Sequence, residues 1–461
     1  MEGNKLDKII SLCKRRGFIY PSSEIYGGFS AVYDYGPYGT ELKNNVKKMW
    51  HKEMVQKNEN IIGLDTAIFM NPKVWEASGH VKGFSDPLSE CKNCHTRIRV
   101  DHLLEDVGIF ADEKMTEKEI NKLLEENKDK IKCPKCGKND FTKAKSFNLL
   151  VKSNLGDFTD KNENPSYLRG ETCQGIYVNF KNILDSTRQK VPFGIAQIGK
   201  AFRNEITARQ FIFRTREFEQ MEMQYFVKPD ENEMKEYENW KEKRWNYYLE
   251  LGIKEENLRW HKHENLVFYA KEAYDIEYNF PFGFKELEGI HARSDYDLNC
   301  HLKASGANFK YKDSDGEEYI PHIIETSTGV GRNILMILCE FYKEESCSDQ
   351  RSLDNKETRI VMQFPYEIAP IKLAILPLMK KDGLSEIGRK IFEDIKEEIM
   401  CEYDESGSIG KRYRRQDEIG TPYCITIDYQ TKEDQTVTLR NRDTMEQKRI
   451  KIDEILSMLN N

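Results

Sequence analysis

Residues 200–223, KAFRNEITARQFIFRTREFEQMEM, set four arginines (Arg203, Arg209, Arg214, Arg216) and four glutamates (Glu205, Glu217, Glu219, Glu222) among aromatics in a stretch that otherwise alternates like a strand. Strand side chains alternate between two faces. Arg203 and Glu205 are therefore expected on one face, and Arg214, Arg216, Phe218, Gln220 and Glu222 on one face of the returning segment. Guanidinium forks match phosphate oxygens and bind aromatic faces, and an aromatic ring suits a purine. Such a surface would hold a nucleotide. A solvated hairpin laced with surface ion pairs is the plainer alternative, because such pairs are worth little and need no ligand.

Residues 321–338, PHIIETSTGVGRNILMIL, fit the first reading. Strand-like IIE runs into a turn with Gly329 and Gly331, and Arg332 opens an apolar helix. Glycines admit close backbone approach, and a helix N-terminus favours anions. The sequence has neither the glycine–lysine phosphate loop nor the dinucleotide fingerprint.

A third group is Cys91-x-x-Cys94 with Cys133-x-x-Cys136. Two such turns supply four thiolates for a closed, tetrahedral, structural Zn2+ site; reduced thiols without metal are the alternative. His95, His102, His261 and His263 read as packing or surface histidines.

The elements that must position these groups can be traced along the chain. KLDKIISLCKRRGF has helical spacing and stops at Gly17, and Thr40 to Gln56 reads as an amphipathic helix with Leu42, Val46, Met49 and Trp50 on one side. Between the cysteine pairs, Thr116 and Glu119 form a capping box ahead of the stripe Ile120, Leu123, Leu124. Strand-like runs fill about 146–228, a highly charged helix spans 230–251, and strand, glycine turn and helix occupy 319–342. The polar segment 343–359 reads as a linker. Helical and strand signals beyond it make a compact α/β domain.

The chain has 461 residues, 38% hydrophobic and 32% charged, the composition of a soluble globular protein. It lacks an apolar run long enough to span a membrane, and its N-terminus lacks a signal-peptide core. A cytoplasmic location is expected. With eleven cysteines and no secretory signal, free thiols and metal ligands are expected over disulfides. The net charge of −7 predicts no general affinity for polyanions, but binding depends on local basic patches such as GKRYRR, 410–415.

Taken together, FR203-N-E205, Arg214-x-x-x-Phe218 and Glu222 resemble motif 2 of class II aminoacyl-tRNA synthetases, and Glu325 to Arg332 resembles motif 3. YDYGPYGTELKNN, WEASGHVKGFSDPL, LRGETCQG, YDIEYNFPFGFKELEGIHARSDYDL and RYRRQDEIGTPY extend the resemblance, in order, to the dimeric glycyl-tRNA synthetase family. Where that family often has glutamate, this chain has Gln224; Gly170, Cys173 and Thr326 are further departures.

The resemblance implies an α/β (α+β) chain. An antiparallel-sheet catalytic domain would span 1–85 and 146–345, a zinc-ribbon-like insertion 86–145, a linker 346–362 and an α/β anticodon-binding domain 363–461. It implies an ATP site along Arg203, Asn204, Glu205, Phe213, Arg214, Thr215, Arg216, Glu217, Phe218, Glu286, Leu287, Gly329, Val330, Gly331 and Arg332. In it Arg203 grips the α-phosphate, Phe218 stacks on adenine, Arg332 closes the other side, Arg214 holds the bent triphosphate, and Glu286 is the candidate Mg2+ ligand. A glycine pocket is implied from Arg99, Glu171, Phe218, Glu219, Gln220, Met221, Glu222, Glu325, Ser327 and Gly329. Arg412, Arg414, Arg415 and Arg440 are candidate RNA contacts. The implied partners are ATP, glycine, tRNA(Gly) and a second copy of the chain, docked near the Thr40–Gln56 helix. The implied reaction is glycine–tRNA ligation, with diadenosine tetraphosphate as a side product. A non-catalytic synthetase-like subunit and a zinc-dependent nucleic-acid-binding protein are the rival readings.

Overall fold

The structure, a computed structural model, describes residues 4–109, 115–155, 166–206, 210–263, 270–347 and 357–459; Arg209 and residues 348–356 of the expected linker lie outside these. Its centre is a seven-stranded sheet in the order Leu258–Lys262, Glu272–Phe280, Gly283–Ser294, His322–Gly329, Glu217–Val227, Phe193–Phe202, Ile61–Gly63. Neighbours are antiparallel except Ile61–Gly63, which runs parallel to Phe193–Phe202.

Period-two alternation along Glu217–Val227 explains how the sheet is covered. Met221, Met223, Tyr225 and Val227 point to the back and join a core with helices Lys5–Arg16, Pro37–His51, Glu233–Glu250 and Val330–Phe341. On the front, one end is apolar: Phe193, Ile195, Phe226 and Ile323 lie under helix Cys173–Thr187. The rest of the front is polar. There Gln220, Glu222 and Gln224 stand opposite Gly329, Ser327 and Glu325 in register.

Several expected boundaries move. The helix expected over Thr40–Gln56 begins at Pro37, whose missing N–H and fixed φ suit a first turn, and its last turn, Lys52–Gln56, widens to π geometry. Leu42, Val46 and Trp50 are buried inside the chain's own core. The hairpin strands end at Phe202 and begin at Glu217; Arg203 N–H still donates to Arg216 O, and Glu205 and Arg214 lie beyond the ladder. The reason is competition for backbone partners: Asn204 N–H donates to Leu149 O and Arg216 N–H to Ala31 O. At the expected linker, Tyr342–Cys347 and Glu357–Met362 pair antiparallel, and Arg359 is buried between Asp417 and Glu345.

The insertion is a three-stranded sheet of Ser85–Glu90, Arg97–Arg99 and Lys145–Asn148 with helix Glu117–Glu126, which carries the Thr116–Glu119 capping box. Beyond the paired strands, Leu373–Pro377 lies between Cys401–Tyr403 and Tyr423–Ile427, parallel to both, and two antiparallel strands, Thr436–Asn441 and Gln447–Lys451, complete a five-stranded sheet.

Candidate active site

Helix Cys173–Thr187 sets Glu171, Thr172 and Cys173 at its start over the polar part of the sheet. Thr172 donates its hydroxyl to Glu222 and its N–H to Gln220 Oε1, 3.2 Å. The Cys173 Sγ, Glu222 and Glu325 ligand atoms all lie within 4.8 Å of one another. Three carboxylates, those of Glu171, Glu222 and Glu325, thus converge in a buried pocket.

Their ionisation differs with their partners. Glu222 has burial, then the Glu325 charge, acting to raise its pKa well above the usual carboxylate range; the Thr172 hydroxyl opposes this. Burial also acts on Glu325, but the Arg293 charge and bonds from His291 and Gln224 bring it down to about 2. Glu171 is held well below the ordinary value against burial by His80, Arg293 and the Cys173 thiol. Arg293 Nη1 is 3.0 Å from Glu325 and its Nη2 3.0 Å from Asp297; His80 Nε2 is 3.0 Å from Glu171. Of the three carboxylates, Glu171 and Glu325 are thus held down by their partners while Glu222 is pushed up.

Beside this pocket the guanidinium of Arg203 lies 5.4 Å from the Phe218 ring centre and donates to Gly170 O. Arg332 sits 4.6 Å over the Phe213 ring and pairs with Glu286 at 2.9 Å. Gly331 lets the helix start close to the preceding segment: a Cβ there would be 2.9 Å from Ile212 O. Arg214 is 3.9 Å from Glu205, and both Arg214 Nη1 and Glu205 Oε2 are buried without a hydrogen-bond partner. A buried donor left unmade is costly, and a polyphosphate oxygen would satisfy it.

Sequence-derived positions separate accordingly. Glu171, Gln220, Glu222, Glu325, Ser327 and Gly329 are brought together, with Phe218, Arg203, Arg214 and Arg332 alongside. Glu219 and Met221 are not: alternation turns Glu219 to Lys43 and Lys47 (2.9 and 3.0 Å) and Met221 into the rear core. Leu287 and Val330 are likewise core residues. Glu217 pairs with Lys200, Thr215 donates to Glu217 O, and Arg216 donates to Glu205 O. Arg99 pairs with Asp86 (2.9 Å) and Asp101 (2.5 Å). This cluster borders Glu205 and Arg214; burial pushes Asp86 up to about 6 against the pull of Arg99. Arg412 and Arg440 leave the RNA-contact set for a physical reason. Arg412 is 2% exposed and donates to Pro377, Leu378 and Asp404 carbonyls, and Arg440 is clamped on Asp417. Arg415 pairs with Asp404.

Arg293, His80 and His291 were missed. The signal was the carboxylate set itself, since a buried acid cluster requires cations, and HARS and SGHV both lie in the segments that carry the family resemblance.

The four cysteine sulfurs form the other ligand set: Cys91–Cys136 and Cys94–Cys133 are each 3.6 Å apart. Zn–S bonds of about 2.3 Å in a tetrahedron put sulfurs roughly 3.8 Å apart, so the set fits zinc. His95 and Gly137, both at positive φ, close the two turns.

Residues 151–341 match the family model of the tRNA synthetase class II core domain (G, H, P, S and T), and 372–461 that of the anticodon binding domain. The chain is 54% identical to the glycine–tRNA ligase of Treponema denticola, covering 100% of this chain and 98% of that protein. It is 51% identical to that of Borrelia hermsii (98% and 96%) and 52% identical to that of Clostridium acetobutylicum (98% and 97%). The chain belongs to the glycine–tRNA ligase family.

Proposed function

We infer that the chain joins glycine to tRNA in two steps. The observation that carries this is the placement of the Glu171–Glu222–Glu325 pocket beside the Arg203–Phe218 and Arg332–Phe213 pairs. Glycine's ammonium enters between the carboxylates. Its carboxylate, already ionised at neutral pH, attacks the α-phosphorus of ATP and expels pyrophosphate. Arg203 and Arg214 neutralise phosphate charge, and catalysis is positioning plus electrostatics. The 3′-terminal ribose hydroxyl of tRNA then attacks the adenylate carbonyl and AMP leaves. Thr172, Cys173 and Glu222 pack together in the pocket, which would leave little room for a Cβ, and glycine has no smaller competitor, so size alone would give specificity.

Glu286 beside Arg332 would hold Mg2+ with the ATP phosphates, and Mg2+ would supply charge neutralisation there. Cys91, Cys94, Cys133 and Cys136 would hold structural zinc. Ile25 and Tyr26, 88% and 87% exposed, with Phe29 form an apolar surface suited to a second copy. Among the described residues no helix is long and apolar enough to cross a membrane, and the cytoplasm is the location proposed.

Glycine-dependent exchange of pyrophosphate into ATP tests the reading: exchange is expected, and its absence in metal-replete protein overturns it. Incubation with glycine and ATP but no tRNA is expected to yield diadenosine tetraphosphate, as a second ATP intercepts the adenylate; failure to detect it rules out that side reaction.

A further inference from the structure

The polar face of the sheet continues past Glu325 to the sheet's edge. There it carries His263, Asp275 and His291, and His291 links the group to Glu325 of the carboxylate pocket. Strand register brings them together. His291 is opposite Glu325 on one side and Ala273 on the other, His263 N–H donates to Ala273 O, and Asp275 stands opposite Gly289. Gly289 makes the space in which they meet: a Cβ there would be 3.0 Å from His291 Cε1 and Nε2 and 3.5 Å from Asp275 Oδ1. His263 Nε2 is 2.9 Å from Asp275 Oδ2, His291 Nε2 is 3.9 Å from Asp275 Oδ1, and one ligand atom from each of the three lies within 4.8 Å of the others.

We propose that His263, Asp275 and His291 form a binding site for a divalent transition metal of the zinc class. Two imidazoles and one carboxylate are the donor set such ions take when one tetrahedral position stays open to water. Ligand atoms around an ion with bonds near 2.0–2.1 Å lie roughly 3.3 Å apart, between the two distances found here. The site also has the outer partner that metal-binding histidines use: His291 Nδ1 is 2.9 Å from Glu325 Oε1, a carboxylate that can hold the Nδ1 proton and leave Nε2 for the ion. Access is open, since the His263 side chain is 38% exposed while Asp275 is 10% exposed. The proposal stands on this geometry and not on the ligase reading, and it is separate from the cysteine set, which belongs to the insertion.

The test is equilibrium dialysis of the full chain against Zn2+ alone, with zinc per chain measured by elemental analysis. The variants are His263→Ala, Asp275→Asn and Cys91→Ser, each checked for native near-ultraviolet circular dichroism. His263, half-exposed beside an edge strand, is the variant expected to fold without difficulty. The wild type is expected to hold about one zinc more than His263→Ala or Asp275→Asn, with affinity at that site weakened beyond the roughly 10–100-fold of an outer-partner change. Cys91→Ser should keep this equivalent, and Co2+ in its place should give visible bands without sulfur charge-transfer absorption. Equal zinc in the wild type, His263→Ala and Asp275→Asn would mean a hydrogen-bonded network only and would overturn the proposal.

Discussion

Gln224 and Glu325 face each other across adjacent strands, with Gln224 Nε2 donating to Glu325 Oε2 at 2.8 Å while Gln224 Oε1 accepts from Tyr177 at 2.8 Å. The amide is the link between the buried tyrosine and the carboxylate. A hydrogen bond to a charged group is worth about 1.5–3 kcal/mol. Gln224→Leu is therefore expected to raise the KM for glycine about tenfold or more and to leave the KM for ATP unchanged in pyrophosphate exchange. Equal changes in both would refute the link.

Glu222 should release its proton when glycine binds. Burial and the Glu325 charge raise its pKa well above the usual carboxylate range; an ammonium beside it favours the anion and lowers the pKa. Glycine affinity should then rise with pH until Glu222 is ionised in the free protein. Calorimetry of glycine binding in two buffers of different ionisation enthalpy should give different heats, and Glu222→Gln should remove the difference.

Arg214 should trade stability for activity. Its buried Nη1 has the Glu205 carboxylate 3.9 Å away but no hydrogen-bond acceptor, so Arg214→Ala is expected to lower the exchange rate about 10²–10³-fold, as loss of a transition-state donor does. The melting temperature should hold or rise. A large fall in it would show that the guanidinium is structural.

Behind the site, Arg244 meets Glu288 at 2.6 Å with both nearly inaccessible, and Tyr248 donates to the same carboxylate. Removing one partner of a buried pair costs about 3–5 kcal/mol. Urea unfolding of Arg244→Ala should show that loss, and it should shrink when Glu288→Leu is added.

Zinc removal should be felt at the nucleotide. Strand Ser85–Glu90 runs from Asp86 directly into Cys91, and Arg97–Arg99 runs from the same metal turn to the partner of Asp86. Chelation is expected to raise the KM for ATP more than that for glycine, alongside a lower melting temperature. A change in stability alone would confine the metal's role to the insertion.

What could be read from the sequence follows from how local the cause is. Capping at Thr116, the stop at Gly17 and the pocket-facing Glu222 and Glu325 depend on neighbours in sequence or on period two, and they hold. Period two also sets Glu219 and Met221 to the rear, a consequence that a contiguous binding segment conceals. Arg412 and Arg440 look like an exposed basic run, and only tertiary packing against Asp404 and Asp417 turns them inward. The strand limits near Arg203 and Arg216 were set by Leu149 and Ala31, far away in the chain.

The insertion's neck has a consequence for anyone reshaping this protein. Ser85 pairs with Asn148 and Phe84 O accepts from Leu149 N–H, so residues 86–145 leave and re-enter through adjacent strands, like a cassette that could be cut out and the ends rejoined. Yet Asp86 and Arg99, which border Arg214, belong to the piece that would be lost. The module is separable by topology and inseparable by charge: a trimmed chain would close neatly and leave one wall of its proposed nucleotide site missing.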